Sequence, residues 1–534
     1  MEKPKTRVAG AAAIVMSSIV VSRLTGFLRE VLVPNILGAN KIGDAYNMAF
    51  RITGLMYDMV VGGAIAAALI PILSGYIEKG REEEGWKAAG TFINIVFIVM
   101  SVACLTGIVF ADKIVPFMAW GFGEEASDLT IELSRILFPS VAFLMLAGIT
   151  NGILNSYHRF AAAAYGPSIY NVGSALSILL LSKFGVETVA YGVMFSSLIY
   201  FLFQLSFALK NLKYFRFKLY LNHPGFRKLF SLAIPSLISS SISQINVIIS
   251  AAFTTAFSEG SVVAFNMADR TWQMPYGIFA QGIGIALLPT LAAKYAVKEI
   301  DYYKETLARG IRTVLFLALP SAVGIIVLRE PIVRTIFQFT EQLGDKDIAV
   351  SASALMFFSI ALITQSMVTI LNRAFYAVND TKTPLYIGAA TIFVNYGLNV
   401  FFLNNSPLNV SGMALSYALS STFCAILLLV LLDIKLNGIY LERMAGFMLK
   451  ATPASVAMGL LLNVINSIIP TGMYSKPVQL VYLFAVVVLG ALVYYVLTLL
   501  MRVDEAKMIL GFTVDKLKKL SRNTKTLDVA RTEK

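Results

Sequence analysis

Four arginines, Arg23, Arg29, Arg51 and Arg270, stand inside apolar stretches long enough to cross a membrane, and two of them hold the same place in a repeated motif. Ala45-Tyr46-Asn47-Met48-Ala49-Phe50-Arg51 returns 219 residues later as Ala264-Phe265-Asn266-Met267-Ala268-Asp269-Arg270. A charge placed within a bilayer costs from a few to about ten kcal/mol, so such residues mark pathways and substrate sites. Arginine suits phosphate, because its planar fork donates two parallel hydrogen bonds and stays charged at any relevant pH. Counted from the outer ends of their helices, Arg51 and Arg270 sit roughly 9 to 12 Å deep, a shared level. Arg23 and Arg29 fall in the outward half of the first apolar stretch, with Thr25-Gly26 between them. Converging, these groups would grip a pyrophosphate or another polyanionic head group. Asp44 and Asp269 complete the candidate set. Asp269 leaves its helix about 100° away from Arg270 and is expected to face a different partner. The structural alternative pairs each arginine with Asp44, Glu30, Asp58 or Asp269.

Other chemistry finds no support. No Gly-rich loop ends in Lys-Ser or Lys-Thr, so ATP is not the expected energy source. No carboxylate pair, Cys/His cluster or nucleophile elbow is present, so no catalytic residue, metal ligand or cofactor is assigned. His158 and His223 lack metal-ligand partners at useful spacing. Asn155, Asn171, Asn372, Asn395 and Asn399 are expected to hydrogen-bond between helices. Pro71, Pro167, Pro289 and Pro384 break or end helices.

The elements that must position these residues are membrane helices. The mean hydropathy is +0.73 and only 14% of residues are charged, against about 25% in average chains. Fourteen apolar stretches near the roughly 20-residue spanning length cover approximately 8–36, 45–75, 88–111, 134–156, 160–182, 188–209, 229–254, 262–296, 310–328, 347–376, 384–404, 410–433, 447–466 and 478–501. The runs are continuous and every backbone group in lipid must be paired, so the fold class is an all-α polytopic membrane protein. With the N-terminus inside, about 32 basic residues fall on one side and about 7 on the other, which places both termini in the cytoplasm. The net charge of +13 then follows from topology and an anionic inner leaflet, with no nucleic-acid partner. Cys104 and Cys424 lie in apolar helices and are expected to be packing residues. No cleavable signal peptide is visible, so the first span itself serves as the insertion signal.

The repeat runs further than its motif. Leu69-Ile70-Pro71-Ile72-Leu73 matches Leu287-Leu288-Pro289-Thr290-Leu291, and Leu154-Asn155 leads to Pro167 as Leu371-Asn372 leads to Pro384. Six spans per copy give both copies one orientation, so two pseudo-symmetric six-helix lobes are expected around a central cavity, with alternating access by rocking. The expected division is 1–222 for the N-terminal lobe, 223–440 for the C-terminal lobe, 441–501 for two extra C-terminal helices and 502–534 for a basic cytoplasmic tail.

Taken together, Ser22-Arg23-Leu24-Thr25-Gly26-Phe27-Leu28-Arg29-Glu30, Gly43-Asp44-Ala45-Tyr46, Ser243-Gln244-Ile245, Ala268-Asp269-Arg270 and Asn379-Asp380-Thr381-Lys382-Thr383-Pro384 resemble the MurJ (MviN) family of lipid II flippases, within the multidrug/oligosaccharidyl-lipid/polysaccharide exporter superfamily. The resemblance implies a bacterial inner-membrane flippase of undecaprenyl-pyrophosphate-linked peptidoglycan precursor, acting in cell wall biogenesis, with a cationic cavity and a lipid-tail groove formed by the last two helices. It implies that Arg23, Arg29, Asp44 and Arg270 are cavity residues, with Arg51 where a basic residue is common. Many members carry an Arg-Arg pair and then a glutamate one turn further on, where this chain reads Tyr57-Asp58 and Gly62-Gly63. The cation site of some relatives uses carboxylates where this chain offers Ser250, Asn395 and Asn399. Expected partners are lipid II and membrane lipids, the chain acting as a monomer, with membrane potential or a coupling ion as the drive. The alternatives are export of another isoprenoid-linked oligosaccharide or a drug, and a non-transporting scaffold for peptidoglycan-synthesis proteins.

Overall fold

The computed structural model describes residues 4–64, 68–469 and 474–508, and all regular structure among them is helical. In chain order the helices are α1 (Pro4–Ile36), α2 (Lys41–Ala64), α3 (Ile70–Glu78), α4 (Glu82–Val109), α5 (Ala111–Met118), α6 (Glu124–Ser156), α7 (Phe160–Leu181), α8 (Val186–Ala208), α9 (Pro224–Thr254), α10 (Ser261–Tyr276), α11 (Gly282–Ala296), α12 (Ile300–Phe337), α13 (Asp345–Ala377), α14 (Lys382–Asn405), α15 (Val410–Leu436), α16 (Leu441–Ile468) and α17 (Lys476–Leu500). Each of the fourteen expected spans coincides with one helix or, for the second and eighth, with a consecutive pair. Ten stretches of the described residues are long and apolar enough to cross a membrane. Most of the expected basic tail, beyond Met508, lies outside the described residues.

The extra helices have physical causes. The second and eighth spans each change helix type ahead of a matched proline: Pro71 opens α3, and a π-helical turn at Gly277–Gln281 precedes α11, which contains Pro289. Proline supplies no N–H to the α ladder, so helices are readily interrupted near it, and Pro275 of α10 stands two residues before the π turn. Helix α5 was not expected. At 8 residues it is too short to span, and its exposed Phe117 suits the membrane surface.

Packing groups the chain into two units. The first comprises Met1–Thr271, Ile336–Ala354 and Gly388–Ser420. It therefore holds the whole first copy of the repeat together with α9, the N-terminal parts of α10, α13 and α15, and most of α14. Within it α6 packs on α2, α4, α7 and α8, and α1 lies along α7. Pro167 sits inside α7, where it strips the Ala163 carbonyl of its helical donor. Two side-chain amides restore the bond: Asn151 Nδ2 of α6 donates to that oxygen at 2.8 Å and Gln204 Nε2 of α8 at 3.1 Å. Asn155, expected to bridge helices, donates instead to Asn151 Oδ1 within α6, because a partner one turn away is already in reach. Asn171 does bridge, donating to the Ser22 carbonyl of α1 at 3.1 Å.

The second unit comprises Trp272–Thr335, Leu355–Ile387 and Ser421–Lys534. Here Trp272 stacks on Phe358, and Tyr303 donates to the Ala374 carbonyl at 2.7 Å. Gly459 brings α16 against α12 so closely that an added Cβ would stand 2.5 Å from Val323. Helices α16 and α17 pack on one another and turn Leu449, Leu460, Phe484 and Leu500 outward. In water such a surface would be an association hazard; in a membrane it meets acyl chains.

Candidate functional site

Three of the four expected arginines share one network, assembled from α1, α2 and α10 within the first unit. The duplicated motif builds its centre. Asn47 of α2 and Asn266 of α10 are equivalent residues of the two copies, and Asn266 Nδ2 donates to Asn47 Oδ1 at 2.9 Å. The two copies thus touch through the same motif residue. Side chains one turn further on also meet across this contact. Arg51 Nη2 donates to Asn266 Oδ1 at 2.9 Å and lies 3.4 Å from Asp269 Oδ2. Asp269 thus faces the arginine of the other copy, as its 100° offset from Arg270 required.

Glu30 of α1 joins the halves. Its Oε1 accepts from Arg29 Nη2 at 2.5 Å, its Oε2 accepts from Asn266 Nδ2 at 3.2 Å, and the same oxygen pairs with Arg270 Nε at 3.5 Å. Arg29 also lies over the rings of Phe50 and Tyr170, with Cζ 4.8 and 5.7 Å from their centroids, where ring quadrupoles favour the cation. Three guanidinium groups thus share two carboxylates, leaving one positive charge in excess. The four inner side chains are enclosed, with exposures of 13% for Arg29, 12% for Glu30, 11% for Arg51 and 3% for Asp269, whereas Arg270 is 38% exposed. Arg270 is therefore the most exposed charge of the network.

The other two expected residues lie apart from this arrangement. Asp44 is buried, and its oxygens accept from the backbone N–H groups of Gly260 at 2.7 Å and Val263 at 2.9 Å. A carboxylate there caps the first turn of α10, whose N–H groups lack helical partners and carry the positive end of the dipole. The approach depends on two glycines. A Cβ on Gly43 would collide with the Gly38 carbonyl oxygen at 2.1 Å, and Gly260 has φ of +84° and stands against the Ala39 carbonyl oxygen. Asp44 therefore clasps the two copies at their loop ends. Arg23, roughly 9 Å along α1 from Arg29, has an exposed side chain. Of the acids weighed as structural partners, Glu30 and Asp269 hold arginines, Asp44 holds backbone, and the Asp58 side chain lies outside the described residues.

Reading the sequence for arginines underrated Glu30, Asn47 and Asn266. The asparagines left a signal, being the polar residues other than arginine that both motif copies retain. Glu30 left none, because nothing local distinguishes a carboxylate that joins two helices from one that joins its neighbour.

Residues 33–499 match the lipid II flippase MurJ family. A probable lipid II flippase MurJ of Rhizobium tropici is 31% identical over 424 residues, covering 77% of this chain and 78% of its own. The lipid II flippase MurJ of Burkholderia cenocepacia is 28% identical over 498 residues, covering 89% and 93%. Among solved structures, a lipid II flippase MurJ in an inward closed conformation superposes with a TM-score of 0.75 at 23% identity, over 92% of this chain and 99% of that one. An inward-facing multidrug resistance MATE family transporter of the MOP superfamily gives a TM-score of 0.69 at 16% identity, over 80% and 98%; at such identities the likeness is one of fold. The match over most of its length and the shared architecture make this chain a member of the lipid II flippase MurJ family.

Proposed function

We propose that this chain is a flippase that carries lipid II from the inner to the outer leaflet of a bacterial inner membrane by alternating access, with both its termini in the cytoplasm. Family membership supports the substrate, and the excess of basic residues on one side supports the orientation. The observation that carries the reading is the charge network: arginines from both copies of the repeat meet around Glu30 and Asn266, with Arg270 at its exposed edge.

The arrangement suggests how a pyrophosphate engages. The Arg270–Glu30 pair is the longest contact of the network, at 3.5 Å, and an incoming diphosphate offers Arg270 a more highly charged acceptor. As the anion moves inward it competes with Asp269 and Asn266 for Arg51, and those same bonds tie α2 to α10. Cargo binding thereby weakens the contact between the copies, which is what a change of access requires. An acidic site would be needed for cationic drugs, so the excess positive charge favours a phosphate cargo. Membrane potential supplies a drive, since each charge crossing 100 mV contributes about 2.3 kcal/mol.

The test is translocation of lipid II in proteoliposomes holding the Arg270→Ala variant. Transport should fall at least tenfold with insertion and thermal stability retained; undiminished transport would refute the reading.

A further inference from the structure

A second cationic site lies in the other unit, where α12 and α16 begin and the chain leaves α17. A cavity of about 620 Å³ opens there, its charged lining being Arg309, Arg312, Arg443, Lys450 and Arg502 with Glu305, Asp504 and Glu505. Glu305 is paired with Arg309 at 3.2 Å and Asp504 with Lys507 at 3.6 Å. It differs from the charge network in how its charges are held. Arg312 and Glu505 form its enclosed floor, paired at 2.7 Å with exposures of 16% and 6%. Above them Arg443, Lys450 and Arg502 are exposed, and none of the three forms an ion pair with a described residue. Arg502 takes a left-handed backbone conformation, φ +55°, which an L side chain adopts only at some cost. That turn ends α17 and sets the guanidinium on the cavity rim.

We infer that this cavity binds a phosphodiester anion, supplied by the head group of an anionic phospholipid. Three cations around a concave floor match the charge and size of a phosphodiester, and a basic pocket between helix ends at the membrane surface is where head groups are held. The lipid source is favoured by what borders the rim. Leu449, next to Lys450, is 76% exposed, and Leu500, two residues before Arg502, is 74% exposed. Acyl chains lying along those side chains would leave the phosphate at the cavity mouth. This inference is independent of the lipid II site, since no residue is shared.

Purified full-length protein in detergent should bind phosphatidylglycerol saturably in native mass spectrometry and bind phosphatidylcholine more weakly. The Arg443→Gln/Lys450→Gln/Arg502→Gln variant should lose about fivefold in affinity per charge and on the order of a hundredfold in all. Arg443→Lys/Arg502→Lys, which keeps every charge, should bind as the parent does and serves as the check should the triple variant fold poorly. Equal affinity for the two lipids, undiminished binding by the neutralised variant, or lost binding by the charge-keeping variant would overturn the assignment. So would equal competition by glycerol 3-phosphate, which would identify a soluble phosphate site instead of a lipid site.

Discussion

Two polar knots tie helices together in the first unit, and they are built from opposite materials. Around Glu30 the knot is ionic, with three guanidinium groups, two carboxylates and one half-exposed edge at Arg270. Between α9 and α14 it is neutral. Asn395 Nδ2 donates to the Asn246 carbonyl at 2.9 Å, Asn399 Nδ2 reaches the Asn395 carbonyl at 2.8 Å, and Ser250 lies 3.3 Å from both amides. Ser250, Asn395 and Asn399 have no exposed surface. Neutral amides join helices at small desolvation cost and bind one another as well as they would bind anything else. Charges are costly to enclose and respond strongly when a competing ion arrives. Under the proposed function, the difference separates a joint made to stay closed from one that a cargo would open.

The largest effect should come from removing the carboxylate at the centre of the ionic knot. Glu30→Ala leaves Arg29, Arg51 and Arg270 around the single carboxylate of Asp269, and breaking an enclosed pair in this way costs about 3–5 kcal/mol. Thermal unfolding in detergent should show that loss, with Glu30→Gln recovering part of it because an amide still meets Arg29 and Asn266. A Glu30→Ala protein as stable as the parent would mean that water already dissolves the knot, and the contrast with the neutral one would disappear.

Each knot was visible in the sequence to a different degree. The arginines announced themselves, since a charge in an apolar run is costly wherever it points, and the repeated Asn-Met-Ala-x-Arg pattern placed Arg51 and Arg270 at one depth. The order of the spans was equally legible, because a bilayer demands a continuous apolar run for each crossing, whereas the short α5 and the division of the second and eighth spans were not. The partners were not. Asp44 and Asp269 carry the same side chain, yet one caps a helix through backbone N–H groups and the other holds an arginine. That choice depends on how closely α2 approaches α10, which Gly43 and Gly260 set. Asn155 failed as a bridge for a related reason, since Asn151 one turn away captured it first.

An intermediate effect is expected at the neutral knot. Asn395→Leu removes one partner each from the Asn246 carbonyl, Ser250 and Asn399, while Asn399 keeps its bonds to Ser250 and to the residue 395 carbonyl. Losing side-chain hydrogen bonds in a buried site costs about 1–3 kcal/mol. The variant should unfold earlier, while lipid II translocation per folded molecule stays within about twofold. The two readouts must separate here and move together at Glu30. Should Asn395→Leu abolish translocation in fully folded protein, the neutral knot would belong to the transport cycle and the division between the two would fail.

The smallest effect belongs to a pair whose cation stays in water, since Lys435 is 40% exposed although its partner Asp380 is 14% exposed. Asp380 stands in the loop before α14. Burial alone would raise its pKa, but Lys435 and the backbone and side chain of Thr383 all donate to it and bring it down to about 2 from an ordinary 3.8. A depressed carboxylate stabilises the folded state fully above its unfolded pKa, and that contribution disappears as pH falls through the folded value. The anchor should hold above about pH 4 and release toward pH 2, for less than about 1 kcal/mol, as pairs with one solvent-exposed partner do. Hydrogen exchange of the Thr383 amide, corrected for intrinsic rates, reads this directly. Protection should fall across that window in the parent and be low and flat in Asp380→Asn. A parent amide whose protection ignores pH would show that loop geometry, not the charge, starts α14, and would leave enclosure as the property that makes an ion pair matter in this protein.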